Sequence, residues 1–457
     1  MILPGSAETV VELTIDEQAK KDQLDKANAL FLEAFEDVSR LEKFEEKSRA
    51  SIQLIEAAAQ MHRSTEACVE EAVKMVEDAS PQHSHMLVTS HIKTLLDHPA
   101  VQGEMRERLI VVMQGIPSIY TSALRASLLL REARAGRQLS AKEVNAFLEG
   151  GYSDSLTAID VYTTLVKMSY LPDQTWPTEQ IRKMAKQQIR FLAGERGVDG
   201  FSLDEFKKIG ALAQADHDYR WLITTLKKHV SGGNKRDCGL YIARDKTIPF
   251  EWRVAAFDVV FPPNNVVLPE DVRRLPWSAE RLLLAAELKK QPLPPLPDLE
   301  AVMMEEAPDS RPNIAFAAIQ IFAAQGKDIA PEVERVKTLI PAMRNSRSQI
   351  AAYQTCMAVE VTNGFDVHET VLEACAAVKT LEDPSQRLLG ACHLLLQMIA
   401  LNLVGQETVK LLEWTQQELV RYPEHRDASR NAYDGTIASI FLKAKVRLAV
   451  GLYKNAQ

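Results

Sequence analysis

The amino-acid sequence predicts an all-α protein whose C-terminal half is a helical repeat, an α-solenoid of HEAT-like two-helix units. One pattern recurs every 38 residues: Gly326, Gly364 and Asn402 each follow an apolar run at a point where a helix must end. The hydrophobic fraction is 46% and the aromatic fraction only 6%, which is typical of closely packed helices. Capping boxes, such as that of Thr14 and Glu17, mark further helix starts.

Residues 1–80 are predicted to form an acidic arm of long helix, because they contain no proline or glycine after residue 5. The arm carries 18 acidic and 9 basic side chains. A heptad spacing connects Leu24, Phe31 and Val38. This spacing lasts about two or three repeats, which is short for a coiled coil. We therefore expect the arm to fold once into a hairpin docked on the chain, with Ser64 or Thr65 capping its second helix. A dimerising or partner-binding coiled coil is the alternative.

Composition divides the rest of the chain into three segments. Residues 81–231 form a central helical block, and residues 232–300 form a connection broken by Gly and Pro into short helices. Residues 301–457 form the helical-repeat domain, in which three helix pairs precede a long capping helix. Within these repeats, packing accounts for Cys392, His393 and Trp414.

The cysteines indicate a reducing environment. They are odd in number, lack CxxC spacing and have apolar helical neighbours: Cys68, Cys238, Cys356, Cys375 and Cys392. The first residues lack the charged and apolar regions of a cleaved signal peptide, and the longest apolar stretch, residues 394–404, is too short to span a bilayer. The sequence therefore predicts a soluble protein of the cytoplasm or another reducing intracellular compartment.

The sequence contains none of the common local motifs for phosphate loops, dinucleotides, nucleophilic serines or zinc peptidases. We accordingly predict no catalytic, cofactor-binding or metal-binding residues. Four histidines fall within sixteen residues: His83, His85, His91 and His98. Zinc is an alternative for them, but His91 and His98 would lie about 10 Å apart along a helix. A polar linker with hydrogen-bonded histidines explains the cluster better.

Two further patterns suggest weaker alternatives. His217 and Asp218 form the His-Asp pair that helical metal-dependent hydrolases use, but the compact bundle lacks a second, upstream histidine. We expect this pair to lie within a helix. Trp414 and Glu418 match the WxxxE pattern of secreted bacterial effectors that act on host proteins. An apolar helix face explains Trp414 equally well.

A basic region, residues 182–253, suggests that the protein binds a polyanion or nucleic acid. It holds 15 basic and 9 acidic side chains, with aromatic residues between them. The candidate phosphate-binding residues are Arg190, Lys207, Lys208, Lys227, Lys228, Lys235 and Arg236. The aromatic candidates for base stacking are Phe191, Tyr219, Trp221, Tyr241 and Trp252. Aromatic residues at helical spacing are also typical of a core, and the acidic arm could neutralise the same charges.

A proline-rich run at residues 289–297 favours a polyproline II segment. Its candidate protein-binding residues are Lys289, Pro292, Pro294, Pro295 and Pro297, which fit the basic-xxPxxP pattern of ligands for SH3-like domains. A stiff linker is the alternative.

Stacked helix pairs present long surfaces that suit extended partners better than small substrates. We therefore expect a non-enzymatic intracellular scaffold or adaptor that binds other proteins.

Overall fold

The structure, a computed structural model, describes residues 15–79, 85–116, 121, 128, 203–215, 217–230, 232–261, 275–290, 293, 296, 298–427 and 435–457. Within these ranges the chain forms eighteen α-helices and no strand, which confirms the all-α prediction for this part of the chain. No helix among the described residues is long and apolar enough to cross a membrane.

The helices are numbered in chain order. The first nine are α1 Ile15–Ser39, α2 Phe44–Gln60, α3 Glu66–Ala79, α4 His85–Asp97, α5 Gly103–Gln114, α6 Leu203–Ala215, α7 Tyr219–His229, α8 Gly232–Arg244 and α9 Phe250–Val260. The other nine are α10 Leu275–Lys289, α11 Leu299–Glu305, α12 Arg311–Ala324, α13 Ala330–Leu339, α14 Ser346–Asn363, α15 His368–Lys379, α16 Pro384–Ala400, α17 Gln406–Arg421 and α18 Ile437–Ala456.

The chain divides into two compact units. Unit 1 combines Met1–Met75 with Met343–Gln457, and unit 2 consists of Val76–Ala342. Unit 1 thus joins the acidic arm to the last helices of the chain, an arrangement that boundaries drawn along the sequence cannot express. The four-segment division at residues 80, 231 and 300 stays a prediction.

The arm packs within unit 1, where α1 and α2 both contact α18. Phe31 and Val38 of the heptad series are buried. The expectation that the arm folds once is wrong, because its helices are interrupted twice, at residues 40–43 and 61–65. Burial of Leu41 and Phe44 redirects the chain at the first turn, which needs neither glycine nor proline.

The second turn of the arm follows α2, where His62 takes the left-handed conformation with φ 51°. The Arg63 amide then donates to the Ala58 carbonyl at 2.9 Å, closing the helix end. The Glu66 amide donates to Ser64 Oγ at 3.3 Å at the start of α3. Ser64 therefore supplies the side-chain hydrogen bond, whereas Thr65 holds the N-cap position, where its carbonyl accepts from the Val69 amide at 2.9 Å.

The three helix ends spaced by 38 residues share one backbone geometry. Gly326, Gly364 and Asn402 have φ values of 69°, 75° and 58°. The amide that follows each of them donates to a carbonyl five residues back: Lys327 to Phe322 at 2.9 Å, Phe365 to Glu360 at 2.9 Å and Leu403 to Met398 at 2.8 Å. The prediction that helices end at these positions is confirmed, and the geometry is that of a Schellman cap.

The three helix pairs that contain these ends are α12–α13, α14–α15 and α16–α17, and the helices of each pair contact one another. The first pair belongs to unit 2 and the other two belong to unit 1. In unit 1, α14 also contacts α16, and α15 contacts both α16 and α17. All five cysteines are buried free thiols, as the sequence predicted.

Candidate binding groove

Helix α18 is the centre of unit 1, and its charges are all positive. It carries four basic residues and no carboxylate: Lys443, Lys445, Arg447 and Lys454. One face packs on α1, and other faces contact α2 and α16. The stripe left between α2 and α16 forms the floor of an open groove, here called the α18 groove.

The α18 groove consists of two cavities that share Gln53. The first has a volume of about 240 Å³ and is lined by Glu46, Arg49, Ala50 and Gln53 of α2, His393 and Leu396 of α16, and Ser439, Ile440 and Lys443 of α18. The second has a volume of about 380 Å³ and is lined by Gln53, Glu56, Ala57, Gln60, Ile399, Ala400, Asn402, Val404, Val446, Arg447, Val450, Gly451 and Lys454. The lining mixes basic ends with apolar side chains and contains no Phe, Tyr or Trp.

Helical periodicity explains why these residues share a groove. Lys443, Arg447 and Lys454 follow one another at intervals of four and seven residues along α18, so they lie on one face of the helix. Gly451 lies on the same face. A Cβ atom at Gly451 would stand 2.8 Å from Val404 Cγ2. The missing side chain therefore allows the floor to approach the turn that follows α16.

The basic side chains of α18 lie next to one another along the groove. Burial and the neighbouring guanidinium groups of Arg447 and Arg49 hold the pKa of Lys443 below its usual value. Within the described chain, no carboxylate forms an ion pair with Lys443 or Arg447. Cations held together in this way repel one another, and an anion bound between them would relieve that repulsion.

The carboxylate at the closed end of the groove is already engaged. Glu46 is buried, and its two oxygens accept hydrogen bonds from the Thr436 amide at 3.0 Å and the Thr436 hydroxyl at 2.7 Å. Thr436 is the N-cap residue of α18, and its Oγ1 accepts from the Ser439 amide at 3.3 Å. Glu46 therefore joins α2 to the start of α18, and its Oε1 atom also lies 3.8 Å from Lys43 Nζ. Among the described residues it forms no ion pair with Lys443.

The basic region predicted from the sequence has a different character. Lys207, Lys227 and Lys228 are exposed, whereas Lys235 donates from Nζ to the Lys227 carbonyl at 3.2 Å. Lys208 lies on α6 and Arg236 on α8. Arg190 and Phe191 lie outside the described residues.

The aromatic residues of that region belong to the core of unit 2. Tyr219 is buried, and Trp221, Tyr241 and Trp252 pack against the core formed by α6, α7, α8 and α9. Tyr219 also stacks on Trp252, with 6.5 Å between ring centroids. These four rings therefore pack in or against the core, so they no longer support a role in base stacking. Polyanion binding by the basic side chains stays a prediction.

Of the candidate protein-binding residues in the proline-rich run, only Lys289 lies among the described residues. Lys289 ends α10 and forms an ion pair with Asp258 at 2.7 Å. Pro292, Pro294, Pro295 and Pro297 lie outside the described residues. Binding to an SH3-like domain stays a prediction.

The histidine candidates are placed on separate elements. His91 is buried in α4, and burial lowers its pKa to about 4. His98 follows the helix and accepts at Nδ1 from the Ala100 amide at 3.2 Å. His85 begins α4, and His83 lies outside the described residues. No group of three or more potential metal ligands occurs among the described residues.

His217 and Asp218 do not lie within a helix, as the sequence suggested, but between α6 and α7. His217 is left-handed with φ 54°, and the Asp218 amide donates to the Ala213 carbonyl at 2.9 Å. The Asp218 side chain accepts from the Trp221 amide at 3.1 Å. A C-cap followed by an N-cap therefore accounts for both residues.

The WxxxE pair also has structural roles. The Glu418 carboxylate is buried and pairs with Arg387 at 3.1 Å, which joins α17 to α16. Trp414 is partly exposed, with the Lys379 ammonium 5.6 Å from its ring centroid. The effector alternative has no independent support from these contacts and stays untested.

Sequence reasoning missed the α18 groove. His393 was assigned to repeat packing, but it is exposed and lines the first cavity, whereas Cys392 beside it is fully buried. The available signal was the run of four cations without a carboxylate in α18. Sequence alone could not place α2 beside that run.

Comparison of the chain with protein-family models, with curated proteins and with solved structures found no match.

Proposed function

We propose that this chain is a non-enzymatic binding protein that holds a segment of another protein in the α18 groove. One observation carries the proposal: an open groove runs across three helices, and its cationic side chains Lys443 and Arg447 have no carboxylate partner in the described chain. A shallow groove with a mixed lining suits a polypeptide better than it encloses a small substrate. The five buried thiols support a role in a reducing intracellular compartment.

We further propose that the three helix pairs are successive units of a HEAT-like repeat, which would make the protein a scaffold or adaptor. The shared left-handed caps at Gly326, Gly364 and Asn402 support this assignment. So do the contacts of α14 and α15 with the helices of the next pair.

The test is site-specific photo-crosslinking at Gln53, the residue common to both cavities. A photo-reactive amino acid replaces Gln53 in the full chain, and a control carries it at the exposed Lys20 of α1. We expect proteins from the source cell to crosslink at Gln53 and not at Lys20. The crosslinked protein is then purified and its affinity for the chain is measured directly.

Binding must also depend on the groove. The Arg49→Glu/Arg447→Glu variant should weaken the measured affinity at least tenfold, whereas Lys20→Glu/Lys21→Glu, which changes the net charge equally, should not. Unchanged affinity in the groove variant would overturn the proposal, as would turnover of a small molecule by a protein that binds no partner. Point variants are preferable to deleting residues 1–80, because that deletion removes one wall of the groove.

A further inference from the structure

We infer that the segment bound in the α18 groove is acidic: it places one carboxylate between Lys443 and Arg447, a second near Lys454, and apolar side chains between them. This inference names the class of partner and rests on the proposed function. It goes beyond that function because many protein-binding grooves are neutral. An acidic ligand is also not what the composition suggests, because the unit that contains this groove begins with an acidic arm.

Lys443 and Arg447 supply the stronger of the two anion positions, where the two cavities meet. Lys443 lines the first cavity, and Arg447, one turn further along the same face of α18, lines the second. Burial disfavours the charge on Lys443, and the guanidinium groups of Arg447 and Arg49 add to this effect. A carboxylate between Lys443 and Arg447 makes charge-assisted hydrogen bonds and restores the charged form of Lys443. The Glu46 carboxylate lines the same cavity as Lys443 and keeps its negative charge, but its oxygens accept from Thr436 and it forms no ion pair with Lys443 or Arg447 among the described residues.

The spacing of the cations sets the length of the ligand. Lys443 and Lys454 are eleven residues apart on α18, which is about 16 Å along the helix axis. About five residues of extended chain cover that distance, as do about eleven residues of helix. Leu396, Ile399 and Val450 line the groove between its ends. A ligand with apolar residues between its carboxylates therefore matches both the charge and the surface.

A polypeptide is favoured over a nucleic acid by the walls of the groove. The lining holds no Phe, Tyr or Trp on which a base could stack. Glu56 on α2 is exposed at the second cavity, and the arm that provides α2 holds 18 acidic against 9 basic residues. A long phosphate backbone would run past these carboxylates and be repelled by them. A short acidic segment contacts only the stripe of cations.

The test is a titration of the full chain with fluorescent peptides of about eleven residues, measured by anisotropy. One probe alternates Glu and Leu in pairs, and its counterpart has Gln in place of every Glu. We expect the Glu probe to bind at least tenfold more tightly than the Gln probe. This preference should vanish in Lys443→Glu/Arg447→Glu and persist in Lys20→Glu/Lys21→Glu.

Other outcomes overturn the inference. Equal binding of the two probes does so. An equal loss of the preference for the Glu probe in the groove variant and in the control variant also does so, because it would mean that the attraction is unspecific. Tighter binding of a single-stranded oligonucleotide of the same charge would indicate a polyanion site instead. Circular dichroism of each variant checks that the chain is folded, and the milder Lys443→Gln/Arg447→Gln variant should lose an intermediate part of the preference.

The two proposals fail in different ways. If the crosslinked partner depends on Arg49 and Arg447 but is displaced equally by the Glu and Gln probes, the groove binds protein and the acidic ligand is wrong. If neither the partner nor the probes respond to the groove variants, both proposals are wrong.

Discussion

Lys443 and Lys445 stand two residues apart on α18, and their surroundings are opposite. Lys445 is 1% exposed, with its Nζ atom 2.7 Å from Asp37 and 3.4 Å from Glu33 of α1. Lys443 faces the α18 groove, where its charged neighbours are Arg447 and Arg49. Two helical positions differ by about 200° around the axis, so one short sequence meets two different environments.

The difference separates a structural charge from one available to a ligand. Burying an ammonium group is costly unless it is paired, and α1 brings two carboxylates to Lys445. In the groove, Lys443 forms no ion pair within the described chain, although Glu46 lines the same cavity. Its charge is the one that we propose a bound anion contacts. Identical side chains on one helix can therefore hold the fold together or define a binding surface, depending on the partner helix.

Chemical reactivity should give the largest contrast between the two lysines. The pKa of Lys443 is lowered, so at a pH below 10.5 a larger fraction of its amine is neutral than for an amine with the usual lysine pKa. Lys445 reacts only when unit 1 opens, and an opening cost of about 3 kcal/mol would slow it on the order of a hundredfold. Timed acylation followed by peptide mapping measures these rates.

The same experiment has an internal check. Arg447→Gln removes a neighbouring cation, so the pKa of Lys443 should rise and its acylation near pH 8.5 should become slower. The advantage of Lys443 over an amine with the usual lysine pKa should shrink as the pH rises through 10.5, where such an amine is itself half neutral and continues to lose protons. Similar rates at Lys443 and Lys445 in the folded protein would contradict the contrast.

Stability should respond strongly to the buried lysine. Lys445→Ala removes a fully buried stem and takes the buried cation from Asp37 and Glu33, although Asp37 keeps its ion pair with Arg40 at 2.8 Å. Unit 1 should therefore lose about 3 kcal/mol of free energy of unfolding. Both carboxylates are partly exposed, at 27% and 50%, which keeps the loss below that of a sealed pair. Lys445→Met retains the stem and should lose about half as much. Urea unfolding, with unit 1 followed by hydrogen exchange in α18, measures both.

The smallest expected effect has the opposite sign. Lys443→Gln relieves repulsion with Arg447 one turn away, so the free energy of unfolding should rise by up to about 0.5 kcal/mol. The native pKa of Lys443 lies below its unfolded value, so the unfolded chain holds more protons between the two values and the wild-type protein gains stability there as the pH rises. The benefit of Lys443→Gln should thus be present at neutral pH and fade toward pH 10.5. A loss of stability at neutral pH would show that Lys443 is a structural residue.

The parts of the fold that the sequence predicted depend on local chemistry. Whether a helix ends in a left-handed residue depends on only a few neighbouring residues. Gly326, Gly364 and Asn402 could therefore be recognised from their positions alone. The prediction for His217 was wrong because left-handed residues other than glycine are uncommon overall, although histidine is enriched among them. The local signal was Asp218, a residue type that favours the N-cap position.

The binding groove could not be predicted because it depends on distant pairing. Lys445 and Asp37 are 408 residues apart, and no local pattern connects them. The sequence predicts only that the last helix, which carries the basic residues near the end of the chain, caps the repeat. In the structure these cations lie on different faces of α18. Lys445 faces the acidic arm, whereas Lys443, Arg447 and Lys454 line the α18 groove. The groove depends on the packing of α2 and α16 beside α18, which the sequence alone does not show.

The packing of α1 on α18 also determines when unit 1 can fold during synthesis. The ribosome makes about 5–20 residues per second, so the 408 residues between Asp37 and Lys445 take roughly 20–80 s. Throughout that interval the apolar face of α1, including Phe31 and Val38, lacks the helix that covers it in the finished protein. A nascent chain of this protein therefore needs protection of its first helix until its last one emerges, and a message truncated before α18 would yield a product that chaperones and proteases recognise.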